Sequence, residues 1–150
     1  MALYPLHCLD NKGKIMTDKT AKIVYWISTG LVALVYFGGG VFYTVSHDIV
    51  AGMYSGLLNY PTYLIWPLAI LKIVGAAVLL WRPSTLLSDW VYASMFWHLL
   101  LAASAHLAAG DMGWPPAVVA WVMLIISFIL QNRVRAKKSP HAGHLADAAA

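Results

Sequence analysis

Four long apolar runs separated by short polar breaks organise the chain: Ile23 to Ser46, Thr62 to Trp81, Leu86 to Ala109 and Trp114 to Gln131. They hold 24, 20, 24 and 18 residues, and a helix rising about 1.5 Å per residue needs about 20 to cross the hydrocarbon core of a bilayer. Lipid offers no partner to a free backbone N–H or C=O, so each run must close its own hydrogen bonds as a helix. The pattern predicts an all-α fold, a four-transmembrane-helix antiparallel bundle. Between the first two runs, Ile49, Val50, Met53, Tyr54, Leu57 and Leu58 recur at helical spacing. They predict a short amphipathic interfacial helix that lids the bundle and ends at Asn59-Tyr60-Pro61. The connection Arg82-Pro83-Ser84-Thr85 is so short that spans two and three are expected to be antiparallel neighbours.

Composition agrees with this reading. The chain is 61% hydrophobic and 11% charged, against about 45–50% and about 25% in soluble domains. An ordinary soluble protein is excluded. Trp66, Trp81, Trp90, Trp114, Tyr25, Tyr60 and Tyr63 fall near span ends, where amphipathic rings anchor at the membrane interfaces.

The net charge of +4 comes from ten Lys and Arg against six Asp. Nine of the ten basic residues fall in the tails or the 82–85 turn, and segments 47–61 and 110–113 carry none. By the positive-inside rule both termini are expected to be cytoplasmic, and the expected location is the cell (inner) membrane, as a multi-pass protein. The basic tails suit anionic lipid and give no sign of nucleic-acid binding.

Three regions follow: a basic N-terminal tail (1–22), a four-helix membrane domain (23–131), and a C-terminal tail (132–150) that is basic and, after Lys138, without core-forming pattern and disordered. No apolar run of signal-peptide length precedes the first span. A single cysteine, Cys8, excludes an intrachain disulfide and the paired-cysteine thiol oxidoreductases.

The tenth basic residue, Lys72, lies within a span. Tyr36, Lys72 and His98 each fall within about two residues, or about 3 Å, of the centre of their own helix. At about 100° per residue, Lys72 shares a face with Ala69, Gly75 and Ala76, His98 with Ser94, Ala102 and Ala105, and Tyr36 with Thr29, Ala33 and Gly40. Small residues are the ones that membrane helices turn toward each other, so all three polar groups are expected to face the bundle interior. A charged lysine at mid-membrane costs about 2.5–3.5 kcal/mol on insertion scales, which the site must offset. No Asp lies at that depth; Asp89 is near a span end, where it is expected to meet Arg82 or solvent. Lys72 therefore stays uncharged, bonds to Tyr36 and His98, pairs with an anionic or carbonyl-bearing guest, or else snorkels toward the interface or serves only as interhelical glue.

His47, His106 and Asp111 are read as an outer polar rim, with no metal site assigned to them. Gly38-Gly39-Gly40 is read as a kink or packing notch, since no strand or Gly-Lys-Ser/Thr accompanies it. No residue pattern requires a cofactor.

Several stretches, taken in order, resemble a known family. They are Tyr25-Trp26-Ile27-Ser28-Thr29-Gly30, Asn59-Tyr60-Pro61-Thr62-Tyr63-Leu64, Ile70-Leu71-Lys72-Ile73-Val74-Gly75-Ala76, and Asp89-Trp90-Val91-Tyr92-Ala93 through to Ser104-Ala105-His106-Leu107-Ala108-Ala109-Gly110-Asp111. Together they resemble the DoxX-like integral membrane proteins over about residues 22–132. The resemblance implies a four-helix membrane bundle, with some relatives linked to quinone-dependent sulfur oxidation or membrane redox complexes. Lys72, His106 and Asp111 fall on positions similar to the family's recurrent polar ones. His98 departs from that pattern, standing where relatives often carry an acid.

The leading expectation is a bundle that binds a lipophilic carbonyl compound, a quinone or isoprenoid, at Tyr36, Lys72, His98 and Ser94, as a redox-complex subunit. Two alternatives stand beside it. One is an integral-membrane enzyme using Lys72 and His98 as acid and base on a lipophile. The other is a structural or assembly subunit without a ligand. Expected partners are the lipid bilayer, a lipophilic small molecule, and a membrane-protein partner or a second copy of the chain.

Overall fold

The computed structural model describes residues 18–142. Cys8, Lys12 and Lys14 of the N-terminal tail, and residues 143–150 of the C-terminal tail, lie outside the described residues. Five α-helices follow in order: α1 (Asp18–Val45), α2 (His47–Gly52), α3 (Ile65–Trp81), α4 (Thr85–Ala109) and α5 (Trp114–Val134). No strand occurs among the described residues. A 3-10 turn, Thr62–Leu64, runs into α3, so the second apolar run is helical from Thr62 to Trp81. With that extension, the four long helices are long and apolar enough to cross a membrane.

Helix α1 begins five residues before the apolar run. Lys19 and Lys22 project outward while Ala21 is buried, and Asp18 sits in the first turn where the helix dipole favours an acid. The other ends follow local chemistry. Ser84 accepts a hydrogen bond from the Leu87 N–H at 3.1 Å and caps α4. Gly110, at φ 70°, ends α4 in a left-handed turn closed by Gly110 N to Leu107 O (3.2 Å) and Asp111 N to His106 O (3.2 Å). Pro115 occupies the first turn of α5, where its missing N–H costs nothing.

The interfacial element forms as the spacing predicts. Helix α2 passes into a π-helical turn at Met53–Leu57. Val50 and Tyr54 are buried against Ile65, while Ile49, Met53 and Leu57 face outward. Asn59, at φ 54°, breaks the element before Pro61.

Helix α1 is the spine of the bundle, packing closely along α3 on one side and α5 on the other, and α4 packs on α5. Spans two and three are neighbours, as their short turn requires, but α3 and α4 touch sparsely beside the α1–α3 and α1–α5 seams. Their short turn fixes only their adjoining ends. The small-residue face of α3 is taken by α1, and the Tyr92, Met95 and Leu99 side of α4 joins Ala120 and Leu124 of α5 in the core. One α3–α4 contact lies at Gly75, where an added Cβ would be 3.0 Å from Met95 Cε.

Ala21 and Tyr25 of α1 cluster with Leu130 of α5, so the start of α1 and the end of α5 share one end of the bundle, the terminal end. The interfacial element marks the opposite, far end.

The C-terminal segment also differs from expectation as far as Ala142. Ser139 and Ala142 are buried. Asn132 and Ser139 exchange two hydrogen bonds of 2.7 Å, and Lys138 Nζ donates to the Asn132 carbonyl. Ser139 Oγ donates to Asp89 Oδ2 at 2.8 Å. Asp89 thus meets the docked tail, and among the described residues no ion pair joins it to Arg82.

Candidate functional site

The middle of the bundle is shaped by Gly40. An added Cβ there would lie 2.6 Å from Ile73 Cγ1 and 3.0 Å from the Ala69 carbonyl, so only glycine lets α1 and α3 approach this closely. Within the Gly38-Gly39-Gly40 run, Gly40 is the packing notch, while Gly38 meets open space. Beside it, a Cβ on Gly39 would sit 3.5 Å from Lys72 Nζ, an ordinary contact.

The Lys72 amine lies between two aromatic side chains of α1. Its Nζ is 4.7 Å from the ring centroid of Tyr43 and 5.5 Å from that of Tyr36. Both are within the range in which a ring face attracts a cation. Lys72 is half-buried. Its ammonium makes no hydrogen bond or ion pair with the described residues, because the two rings offer faces rather than acceptor atoms.

Tyr36 is buried in the main core and reaches from α1 to α4. Its hydroxyl lies 3.1 Å from the Met95 carbonyl and 3.0 Å from His98 Nδ1. The hydroxyl has one proton and faces two acceptors. Donation to Met95 requires His98 Nδ1–H to donate in turn to the phenol oxygen, and donation to His98 requires a bare Nδ1. The rings of Tyr36 and His98 meet edge to face at 5.6 Å. Tyr36 thus touches both other candidates, by its face toward Lys72 and by its hydroxyl toward His98. Ser94 is exposed and stands apart from this group.

Tyr43 and Tyr54 extend the site beyond the residues singled out from sequence. The Tyr54 hydroxyl donates to that of Tyr43 at 3.1 Å, their rings are 5.9 Å apart at 89°, and Tyr60 packs on Tyr54 at 6.1 Å. Burial pushes the Tyr54 hydroxyl above its ordinary pKa. An aromatic ladder therefore leads from Lys72 to the far end. Its signal was present in sequence: Tyr43 lies seven residues after Tyr36, almost straight above it on the helix.

The three rim residues divide into two units. His106 Nδ1 lies 2.8 and 2.9 Å from the two Asp111 carboxylate oxygens, and Asp111 Oδ1 also accepts from the Gly113 N–H at 3.0 Å. The imidazole, with the Gly113 N–H adding to it, holds the Asp111 carboxyl below its usual value. Gly113 is required here, since a Cβ would lie 2.3 Å from His106 Nδ1. His47 instead stacks on Trp66 at 5.5 Å, with its Nδ1 3.5 Å from the exposed Asp48.

A second polar cluster, at the terminal end, holds the bundle together. Ser127 Oγ lies 2.6 Å from Thr29 Oγ1 and 2.7 Å from the Tyr92 hydroxyl, joining α1, α4 and α5. Arg135 donates through Nε to the Tyr25 hydroxyl (2.8 Å) and through Nη2 to the carbonyls of Leu79 (3.3 Å) and Leu80 (2.9 Å). Its guanidinium also lies 4.5 Å from the Trp26 ring centroid.

Comparison with known proteins adds one finding. The model of the DoxX-like family matches residues 27–130, which take in most of each of the four spans and every residue of the mid-span group. No curated protein and no solved structure matches the chain.

Proposed function

Since the chain belongs to the DoxX-like family and is a small multi-pass integral membrane protein, we propose that its bundle binds a lipophilic carbonyl compound, a quinone or isoprenoid, at the Lys72 amine. The observation that carries this reading is the set of unused N–H donors on Lys72, between the faces of Tyr43 and Tyr36. Ring faces offset part of the charge, about 0.5–2 kcal/mol each, but they leave the ammonium hydrogens without acceptor atoms. A carbonyl oxygen supplies such an atom, and flat aromatic walls suit a quinone ring. His98, tied to Tyr36, offers its other ring nitrogen to the same guest. Both termini are assigned to the cytoplasmic side, on the placement of nine of the ten basic residues.

The test is native mass spectrometry of gently extracted protein, followed by titration with a short-chain benzoquinone. The wild type is expected to carry or take up the lipophile and the Lys72→Met variant to lose it while remaining folded. A folded wild type that neither carries a lipophile nor binds the quinone overturns the proposal. That result would favour a second reading, in which the two ring contacts make Lys72 an interhelical tie and the chain is an assembly subunit.

A further inference from the structure

A cavity of about 580 Å³ opens between α4 and α5, outside the mid-span group. Trp90 and Trp97, both exposed and seven residues apart, line it from α4, and Ile125, Phe128 and Ile129 line it from α5. From Asp89 to Trp97 is eight residues, about 12 Å along the helix. That approaches the depth of one leaflet, half of a hydrocarbon core about 30 Å thick. The walls are apolar and aromatic over this length, as an acyl chain requires.

The terminal end of the groove has a different chemistry. Asp89 lines it and is nine-tenths buried. Asp89 Oδ2 accepts from Ser139 Oγ at 2.8 Å, but Asp89 Oδ1 is buried and meets no donor. Arg82 does not supply one, since its three guanidinium nitrogens are themselves buried without partners. A buried carboxylate oxygen left unbonded costs free energy that a ligand donor recovers. His141 stands at the same end of the groove, on the docked tail that also carries Lys137 and Lys138. The groove thus offers an acceptor inside, cationic groups on the adjoining segment, and a hydrocarbon-lined channel beyond.

We infer that the groove holds an aminophospholipid, phosphatidylethanolamine, with its ammonium donating to Asp89 Oδ1, its phosphate beside the basic tail, and one acyl chain between the tryptophans and Phe128. A primary ammonium brings three N–H donors, and a choline head brings none. Head-group methylation therefore removes the recognised hydrogen without changing the charge or the chains. This site is independent of the Lys72 reading, and either can fail without the other.

The experiment uses the full chain in mixed micelles. Equal amounts of phosphatidylethanolamine, its mono- and dimethylated forms, and phosphatidylcholine are added with identical acyl chains, and retained lipids are counted by native mass spectrometry. Wild-type protein is expected to retain phosphatidylethanolamine over phosphatidylcholine by about tenfold, the factor of one charge-assisted hydrogen bond, with a stepwise fall along the series. Asp89→Asn is expected to bring the series close to parity. A flat series in the wild type overturns the inference, and that measurement requires no variant to fold. A folded Asp89→Asn protein that keeps the wild-type slope overturns it as well, because the head group is then read elsewhere.

Discussion

Lys72 and Arg135 are both cations set against two aromatic rings, yet their donors meet different fates. Arg135 lies over Tyr25 and Trp26 and also donates to the Tyr25 hydroxyl and to two carbonyls at the end of α3. Lys72 lies over Tyr43 and Tyr36 and donates to nothing in the described chain. A planar fork reaches several acceptors at once, so guanidinium suits a fastening among backbone carbonyls, while a lysine head is a compact point charge. The contrast teaches that ring contacts alone do not mark a functional cation. Unused donors do.

Substitutions can break this contrast. The largest effect is expected for Arg135→Met, which removes the ties from α5 to α1 and α3: a loss of about 2–3 kcal/mol, read as a lower unfolding midpoint by circular dichroism in detergent, with quinone binding by the folded fraction unchanged. Gly40→Val comes next, with about 1–3 kcal/mol of overpacking against Ile73 and the Ala69 backbone. Gly39→Ala, whose new carbon meets only an ordinary contact, is expected to shift the same midpoint by less than about 1 kcal/mol in either direction.

Lys72→Met should behave inversely to the arginine variant. Quinone affinity measured by titration falls about tenfold or more, equivalent to about 1.4 kcal/mol, with little change in the unfolding midpoint. A lysine variant that unfolds as readily as the arginine variant would erase the distinction.

The smallest effect concerns Asp111. Its carboxyl titrates below the ordinary 3.8 in the folded chain. Its contribution to stability is therefore present above about pH 4 and is lost as pH falls through the depressed value. Asp111→Asn is expected to lower the unfolding midpoint slightly near neutrality and to flatten its fall across that acid range, where the variant and the wild type converge.

Much of the architecture could be read from sequence because bilayer thickness imposes its own length on apolar runs. The depth match of Tyr36, Lys72 and His98 was legible for the same reason. Ser94 shows where periodicity loses resolution. Four residues turn about 400°, which leaves Ser94 about 40° from His98. The buried stripe of α4 passes instead through Tyr92, Met95 and Leu99, with His98 at its edge. Tyr43 was legible only by its seven-residue spacing from Tyr36, since it lies away from the mid-span depth at which Tyr36, Lys72 and His98 coincide. The docking of Ser139 and Ala142 had no periodic signal, because it rests on particular side-chain bonds from Asn132 and Asp89.

The single phenolic hydrogen of Tyr36 has one further consequence. With Met95 as its acceptor, the neutral His98 ring carries its proton on the near nitrogen and shows a bare lone pair on the far one. With His98 as its acceptor, the far nitrogen bears the hydrogen instead. Rotation of that O–H bond, together with exchange of the ring proton from the near nitrogen to the far one, inverts the polarity that the imidazole presents to a neighbour, and no helix has to move for it.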